Sequence, residues 1–263
     1  MNNLSPDLNI ALEAARAAAK VIRERFGDSS NARVKGEAQG LVTDTDLAAE
    51  QAIFEVLKKH SQYNILSEES GLLRNEPGKK WVVDPLDGTS NFARGIPLFA
   101  VSIGLMEGNE FLAGVIIDPI LQNEYCAEKG GGAFLNGEKI FIPALQPGFT
   151  PCIFLNHSYS ETDRNHFIQL AKQLAVPYDT LKFGTTAAEL CYLATGSADA
   201  FICSGDSLWD FAAGVVIATE AGAVFSDWQG NSWDGKGDKL LISRPEIHND
   251  LVQKISGVVN FSH

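Results

Sequence analysis

Cysteine is scarce and scattered. Cys126, Cys152, Cys191 and Cys203 form no C-x-x-C pair in a chain of 263 residues. That argues against a zinc site and a disulfide framework, and it fits reduced thiols in a cytoplasm. Long apolar runs are missing as well. None reaches the roughly 18 residues that a membrane-crossing helix needs, so no membrane association is expected. Met1 to Ile10 lacks the basic start and apolar centre of a secretory signal. No G-x-S-x-G elbow is present, which leaves serine-hydrolase chemistry without support. Gly130-Gly131-Gly132 completes neither G-x-G-x-x-G nor a Walker pattern and reads as a strand-to-turn irregularity. Positive charge is short too: 21 Lys and Arg stand against 33 Asp and Glu, for a net charge of −12. With no local Lys/Arg block, nucleic acid is not an expected partner. The same surface repels phosphorylated metabolites unless bound cations reverse the field.

What is present is globular: 45% apolar residues, 21% charged, and 24 glycines for turns. Ser5 and Pro6 open a first helix whose Leu8, Leu12, Ala15, Ala19, Ile22 and Phe26 fall at helical spacing before Gly27. A second helix is predicted from about Thr45 to His60. Strands follow at Tyr63 to Leu66, Trp81 to Val83, Phe99 to Leu105, Phe111 to Ile117 and Asn123 to Glu128, with Asn136-Gly137 as a hairpin turn. Pro143, Pro147 and Pro151 mark the predicted seam between two packed halves, about 1–145 and 146–263, of one domain. Beyond it a strand (Cys152 to Leu155) leads to helices near Glu161 to Ala175 and Thr185 to Thr195. A strand at Ala198 to Cys203, a helix at Asp210 to Ala221, a strand at Leu240 to Ser243 and a terminal helix complete the chain. Mixed elements of this kind predict a layered α/β or α+β fold, without fixing strand order.

The densest chemistry is Trp81-Val82-Val83-Asp84-Pro85-Leu86-Asp87-Gly88-Thr89-Ser90-Asn91-Phe92. An apolar strand enters an acidic turn and then a helix start. Alone, D-P-x-D-G is also an ordinary Pro/Gly turn. Its chemical reading is that Pro85 fixes the backbone so that Asp84 and Asp87 aim at one point. Magnesium keeps several waters and needs few carboxylates. Gly88, Thr89 and Ser90 then offer backbone N–H groups to a phosphate. Three further acidic segments, Ser67-Glu68-Glu69-Ser70, Trp209-Asp210-Phe211 and Thr43-Asp44-Thr45-Asp46, each read singly as a solvated loop or a helix cap. Together they supply the oxygen ligands for metal-assisted phosphoryl transfer.

At these residues the chain resembles the inositol monophosphatase family, in the lithium-sensitive, magnesium-dependent phosphatase superfamily. The matching segments are Lys35 through Asp46, Glu68-Glu69-Ser70, Asp84 to Phe92, Gly184-Thr185-Thr186-Ala187-Ala188, Ala194 to Ala200 and Trp209 to Gly214. The resemblance implies an αβαβα sandwich like that shared with fructose-1,6-bisphosphatase. It implies a metal site built from Glu68, Asp84, the carbonyl of Leu86, Asp87 and Asp210, with two or three magnesium ions and inhibition by lithium. It places Asp87, Gly88, Thr89, Ser90, Gly184, Thr185, Cys203 and Asp210 along the phosphate and substrate. Glu68 would position or deprotonate the attacking water, Thr89 and Asp46 would orient it, and Lys35 would neutralise charge. A cytoplasmic homodimer acting on a small phosphorylated metabolite, of the inositol-1-phosphate type, is the implied assembly.

The family's inositol-binding members usually carry an acidic residue where this chain has Cys203, which is a poor acceptor for a polyol and reads by itself as a small buried strand residue. Fructose 1,6-bisphosphate, 3′-phosphoadenosine 5′-phosphate and histidinol phosphate therefore remain alternative substrates, although Ser90-Asn91-Phe92 looks more like the inositol phosphatase branch. A regulatory or binding protein of the same fold is the alternative outside enzymology. His60, His157, His166, His248 and His263 do not group with the acidic segments and read as surface or helix-end residues. Trp209 reads as core, with a wall of the active site as the alternative.

Overall fold

The computed structural model describes residues 4–27, 32–36 and 40–258. Ser5 caps α1 (Pro6–Arg25) by accepting from the amide of Leu8 at 3.2 Å, and Gly27 closes it at φ +92°. A short hairpin, β1 (Arg33–Gly36) and β2 (Gly40–Val42), leads into α2 (Asp44–His60). Next come β3 (Asn64–Ser67), β4 (Gly71–Leu72), β5 (Lys79–Asp87) and the five-residue α3 (Thr89–Ala93). An antiparallel run then follows: β6 (Ala100–Glu107), β7 (Glu110–Asp118), β8 (Asn123–Glu128), β9 (Gly132–Leu135) and β10 (Glu138–Ile140). The β9–β10 turn is the predicted Asn136-Gly137, both at positive φ (52° and 85°). A two-residue hairpin loop requires that conformation.

After the proline-marked connection come β11 (Cys152–His157), α4 (Glu161–Leu174), β12 (Asp179–Leu181), α5 (Thr186–Ala194) and β13 (Ala200–Ser204). The chain continues through α6 (Leu208–Glu220), β14 (Val224–Asp227), β15 (Lys239–Ser243) and α7 (Pro245–Ile255). The large sheet has the order β10-β9-β8-β7-β6-β5-β3-β4, antiparallel except for the β3–β5 pair. The small sheet, β12-β11-β13-β15-β14, pairs β11 in parallel with β12 and β13.

Helices α1 and α2 cover one face of the large sheet, α5 and α6 lie between the two sheets, and α4 and α7 cover the far face of the small one. This is the predicted αβαβα sandwich. The burial pattern explains the layering. Helix α6 reads Phe211-Ala212-Ala213-Gly214-Val215-Val216-Ile217-Ala218, buried all round, because it has a sheet on each side. Its approach is close. A Cβ at Gly114 of β7 would lie 2.3 Å from the carbonyl oxygen of Ala213, and one at Gly104 of β6 would lie 3.0 Å from the Ala212 Cβ. Small residues on both partners therefore set the spacing that brings the first turn of α6 over the end of β5.

Candidate active site

Strand β5 delivers the acidic turn. Trp81 through Leu86 are buried, and the pairing with β6 slips between Asp84 and Asp87, where Pro85 can donate no ladder hydrogen bond. The irregularity turns Asp84 inward, its Oδ1 accepting from the Leu86 amide at 3.0 Å. Gly88 follows at φ +90°, and a Cβ there would sit 2.9 Å from the carbonyl oxygen of Leu98, so only glycine fits. The helix it caps, α3, is a single short turn. Its dipole therefore adds little, and the Gly88 and Thr89 amides must act as individual donors.

Other elements converge on this turn. Glu68 follows β3, and its amide donates to the Val83 carbonyl at 3.1 Å. The Glu68 turn is braced by Glu50 of α2, which accepts from the hydroxyls of Ser67 at 2.5 Å and Ser70 at 2.6 Å. Asp46, in the first turn of α2, accepts from the Thr43 amide at 2.8 Å and from the Thr43 hydroxyl. The Thr89 hydroxyl lies between Asp46 Oδ1 at 2.8 Å and the Leu86 carbonyl at 3.0 Å, with one proton to give. Asp210 sits in the first turn of α6 and accepts from the Ser207 amide at 2.7 Å. Asp87 Oδ2 accepts from the Thr185 hydroxyl at 2.8 Å and the Ala187 amide at 2.6 Å, tying the turn to α5.

Of these groups Glu68, Asp84, Leu86, Asp87, Thr89 and Asp210 line one pocket of about 590 Å³, with Gly88, Ser90 and Gly184, whereas Asp46 stands behind Thr89 outside the lining. Burial raises the carboxyl of Asp84 well above its ordinary range, reinforced by the charges of Glu68, Asp87 and Asp210. Asp210 is raised likewise by burial, then by Asp206, Asp87 and Glu68. Burial pushes Asp87 up to about 7 against the pull of its Ala187 and Thr185 donors. Asp46 is also raised, by burial first. So much buried like charge is costly unless cations compensate it.

Among the described residues, no three His, Cys, Asp or Glu side chains are gathered closely enough to hold a metal ion by themselves. The donors nonetheless fit a hard divalent ion. Magnesium retains waters and takes one or two carboxylates together with carbonyl oxygens, whereas a closed multi-carboxylate cage suits calcium better. Glu68, Asp84, Asp87 and Asp210, with the Leu86 carbonyl, offer hard oxygens of this kind along the pocket, from which one or two carboxylates and a carbonyl would serve each ion.

Several sequence readings need correction. Cys203 is fully buried on β13 and does not line the pocket, so it is no substrate contact. Thr185 is also buried; it caps α5 and holds Asp87 instead of meeting the substrate directly. His157 does line the pocket, contrary to the reading that set all histidines apart. His166 and His248 are buried partners of Ser204 and of Ser226 and Ser243, while His263 lies outside the described residues. Trp209 both lines the pocket and packs against Val82, Met106 and Ala212. Lys35 lies on β1, with its side chain outside what is described. The sequence reading missed Glu50, Glu189, Asn156, Lys182 and Asp206. Glu189 is wholly buried on α5, raised well above its ordinary range by burial, and accepts from the amides of Phe183 (2.6 Å) and Gly184 (3.1 Å).

Comparison with known proteins places the chain in a family. The profile of the inositol monophosphatase family matches residues 3–259. An inositol-1-monophosphatase of Mesorhizobium japonicum is 37% identical over 94% of this chain and 93% of its own. The Nus factor SuhB of Pasteurella multocida is 32% identical over 96% of each. Among solved structures, the extragenic suppressor protein SuhB of Bartonella henselae superposes with a TM-score of 0.88 at 31% identity, covering 95% of this chain and 98% of that one. The chain belongs to the inositol monophosphatase family and is an enzyme, a phosphoric monoester hydrolase.

Proposed function

We propose that this phosphatase depends on magnesium and hydrolyses a small phosphorylated metabolite of the inositol-1-phosphate type by in-line attack of water. The family is generally metal-dependent. The observation that carries the reading is the convergence of Glu68, Asp84, Asp87 and Asp210 on one pocket beside Gly88 and Thr89. Divalent ions bound there would supply Lewis-acid polarisation and a lowered pKa for water. The protein's own groups do the rest. Glu68 takes the proton of the attacking water. Thr89, held by Asp46, orients that water. The amides of Gly88 and Thr89 donate to the phosphoryl oxygens as negative charge gathers on them. Asp87, fixed by Thr185 and Ala187, keeps the turn and α5 in register.

Phosphate release measured across about ten metabolites, with magnesium, with chelator and with lithium, tests this. Magnesium-dependent turnover that chelator abolishes is expected. Full activity in chelator would refute it. Fructose 1,6-bisphosphate and 3′-phosphoadenosine 5′-phosphate belong in the panel because the same carboxylates suit either. A regulatory role is the second reading, favoured by relatives named as Nus factors. A stoichiometric macromolecular complex with negligible hydrolysis would support it.

A further inference from the structure

A fifth carboxylate, Asp206, lines the pocket four residues before Asp210, and the chemistry above makes no use of it. Its orientation is built in. Oδ2 accepts from the Thr186 hydroxyl at 2.7 Å. Thr186 in turn accepts from Asn156 Nδ2 at 3.2 Å, and that amide also donates to Glu189 Oε2 at 2.5 Å. The preceding Gly205 holds φ +92°, and a Cβ there would meet Asp163 Oδ2 at 2.3 Å. Asp163 is itself clamped by the hydroxyls of Ser158, Ser160 and Ser204, so the backbone that presents Asp206 has little freedom.

Lys182 lines the same wall and is the one Lys or Arg among the described residues lining the pocket. Its ammonium lies over the Phe167 ring, 5.3 Å from the centroid, within the fields of Glu189 and Asp206 but in an ion pair with neither. A cation and a carboxylate that line one pocket discriminate between ligand types. A second phosphate drawn to Lys182 would meet the repulsion of Asp206 at the same place. An apolar group would strip water from both charges and return nothing. A hydroxyl donates one hydrogen bond and accepts others, so it can give its proton to Asp206 while receiving one from Lys182. Adjacent hydroxyls would find Ser158 and His157 along the wall.

We propose that Asp206, which shares the pocket lining with Lys182, is a specificity-determining residue that reads hydroxyl groups on the alcohol part of the substrate, so that neutral polyol monophosphates are preferred to bisphosphates. This rests on the phosphatase reading. The test is steady-state kinetics of the magnesium-loaded enzyme on glycerol 2-phosphate and a hexitol phosphate, on fructose 1,6-bisphosphate, and on p-nitrophenyl phosphate, which has no hydroxyl to read. Losing a hydrogen bond to a charged acceptor predicts that Asp206→Ala lowers kcat/KM for the polyol esters relative to the aryl ester by about tenfold or more, chiefly through KM. Asp206→Asn, which keeps the shape of the wall, lowers that ratio in the same direction, and it decides the matter if the alanine variant does not fold. Lys182→Met lowers the ratio as well. An unchanged ratio in both Asp206 variants overturns the inference. So does a wild-type preference for the bisphosphate that Lys182→Met abolishes. Wild-type enzyme inert on all of these esters would sink the phosphatase reading itself, a separate outcome.

Discussion

Asp84 stands where burial and three neighbouring negative charges act on one carboxyl, and its partner in that field, Asp210, comes from a helix in the other half of the chain. Under the proposed function, neutralising either removes a charge that would hold the cation without removing volume. Asp84→Asn and Asp210→Asn are each expected to cut phosphate release at saturating magnesium by at least about 100-fold, the size of effect seen when one preorganised charge-stabilising group is lost. Far-ultraviolet circular dichroism is expected to be unchanged. Near-wild-type turnover in either variant would remove these residues from the chemistry. At this scale the legible residues were those that punctuate the chain. Asp84 and Asp87 flank a proline, Glu68 ends a strand, and Asp210 heads a small-residue helix. Glu189 gave no such signal, because a glutamate in Thr186-Ala187-Ala188-Glu189-Leu190 looks like a solvated helix position. Only the fold shows the Phe183 and Gly184 amides turned toward it. Asp206 was hidden for a related reason: beside Ser207 and the head of α6 it reads as a capping residue.

Between elements, the contact of α6 with the large sheet decides whether Asp210 can face Asp84. A Cβ at Gly114 would press on the Ala213 backbone at 2.3 Å to 2.9 Å, and backbone cannot swing aside as a side-chain tip can. Gly114→Ala is expected to cost about 1–3 kcal/mol in denaturant unfolding, the usual scale of overpacking, and to lower activity by moving α6. Full activity and an unchanged midpoint would show that α6 is not held in place there. A second junction joins the proline-marked connection to the small sheet. Arg244, 2% exposed, pairs with Asp199 Oδ1 at 2.6 Å and donates to the Pro143 carbonyl at 3.1 Å, while Asp199 Oδ2 accepts from the Cys152 amide at 2.6 Å. Asp199→Ala leaves a buried guanidinium uncompensated, so a loss of about 3–5 kcal/mol is expected in the same unfolding measurement. The long helices and the alternating β6 were legible from periodicity and caps. Strands β12 and β14 were not, because three or four residues such as Val224-Phe225-Ser226-Asp227 carry too little alternation, and each strand has a single partner. Strand order was equally invisible, since pairing β13 with both β11 and β15 depends on contacts distant in sequence.

For the molecule as a whole, the pocket makes stability depend on pH in a direction opposite to ordinary acid denaturation. Asp46, Asp84, Asp87, Asp210 and Glu189 are all raised in the folded state, with burial the leading cause for each and Asp87 reaching about 7. A carboxyl raised by folding binds its proton more tightly in the native state than in the unfolded one. Its contribution is fully present below the unfolded value near 4 and is lost as pH climbs through the folded value. In chelator, therefore, the melting temperature is expected to fall between about pH 5 and pH 7.5. Asp163 and Asp250, which are lowered, act in the opposite sense on the acid side, at and below the ordinary carboxylate range. His157, His166 and His248, lowered first by burial, oppose the fall as pH climbs toward the ordinary imidazole value near 6.5, so the slope is that of the raised carboxyls net of three imidazoles. Magnesium that binds only the folded chain adds RT ln(1 + [L]/Kd), about 2.7 kcal/mol at a hundredfold excess over Kd. It needs those carboxylates ionised. Magnesium should accordingly raise the melting temperature more at pH 7.5 than at pH 5 and flatten the slope seen in chelator, and Asp84→Asn should show a shallower slope from the start. Differential scanning calorimetry across that range, with and without magnesium, makes the measurement. A melting temperature that rises with pH in chelator, or a magnesium shift that is equal at both ends, would mean that the clustered carboxylates are not the groups that the cation compensates.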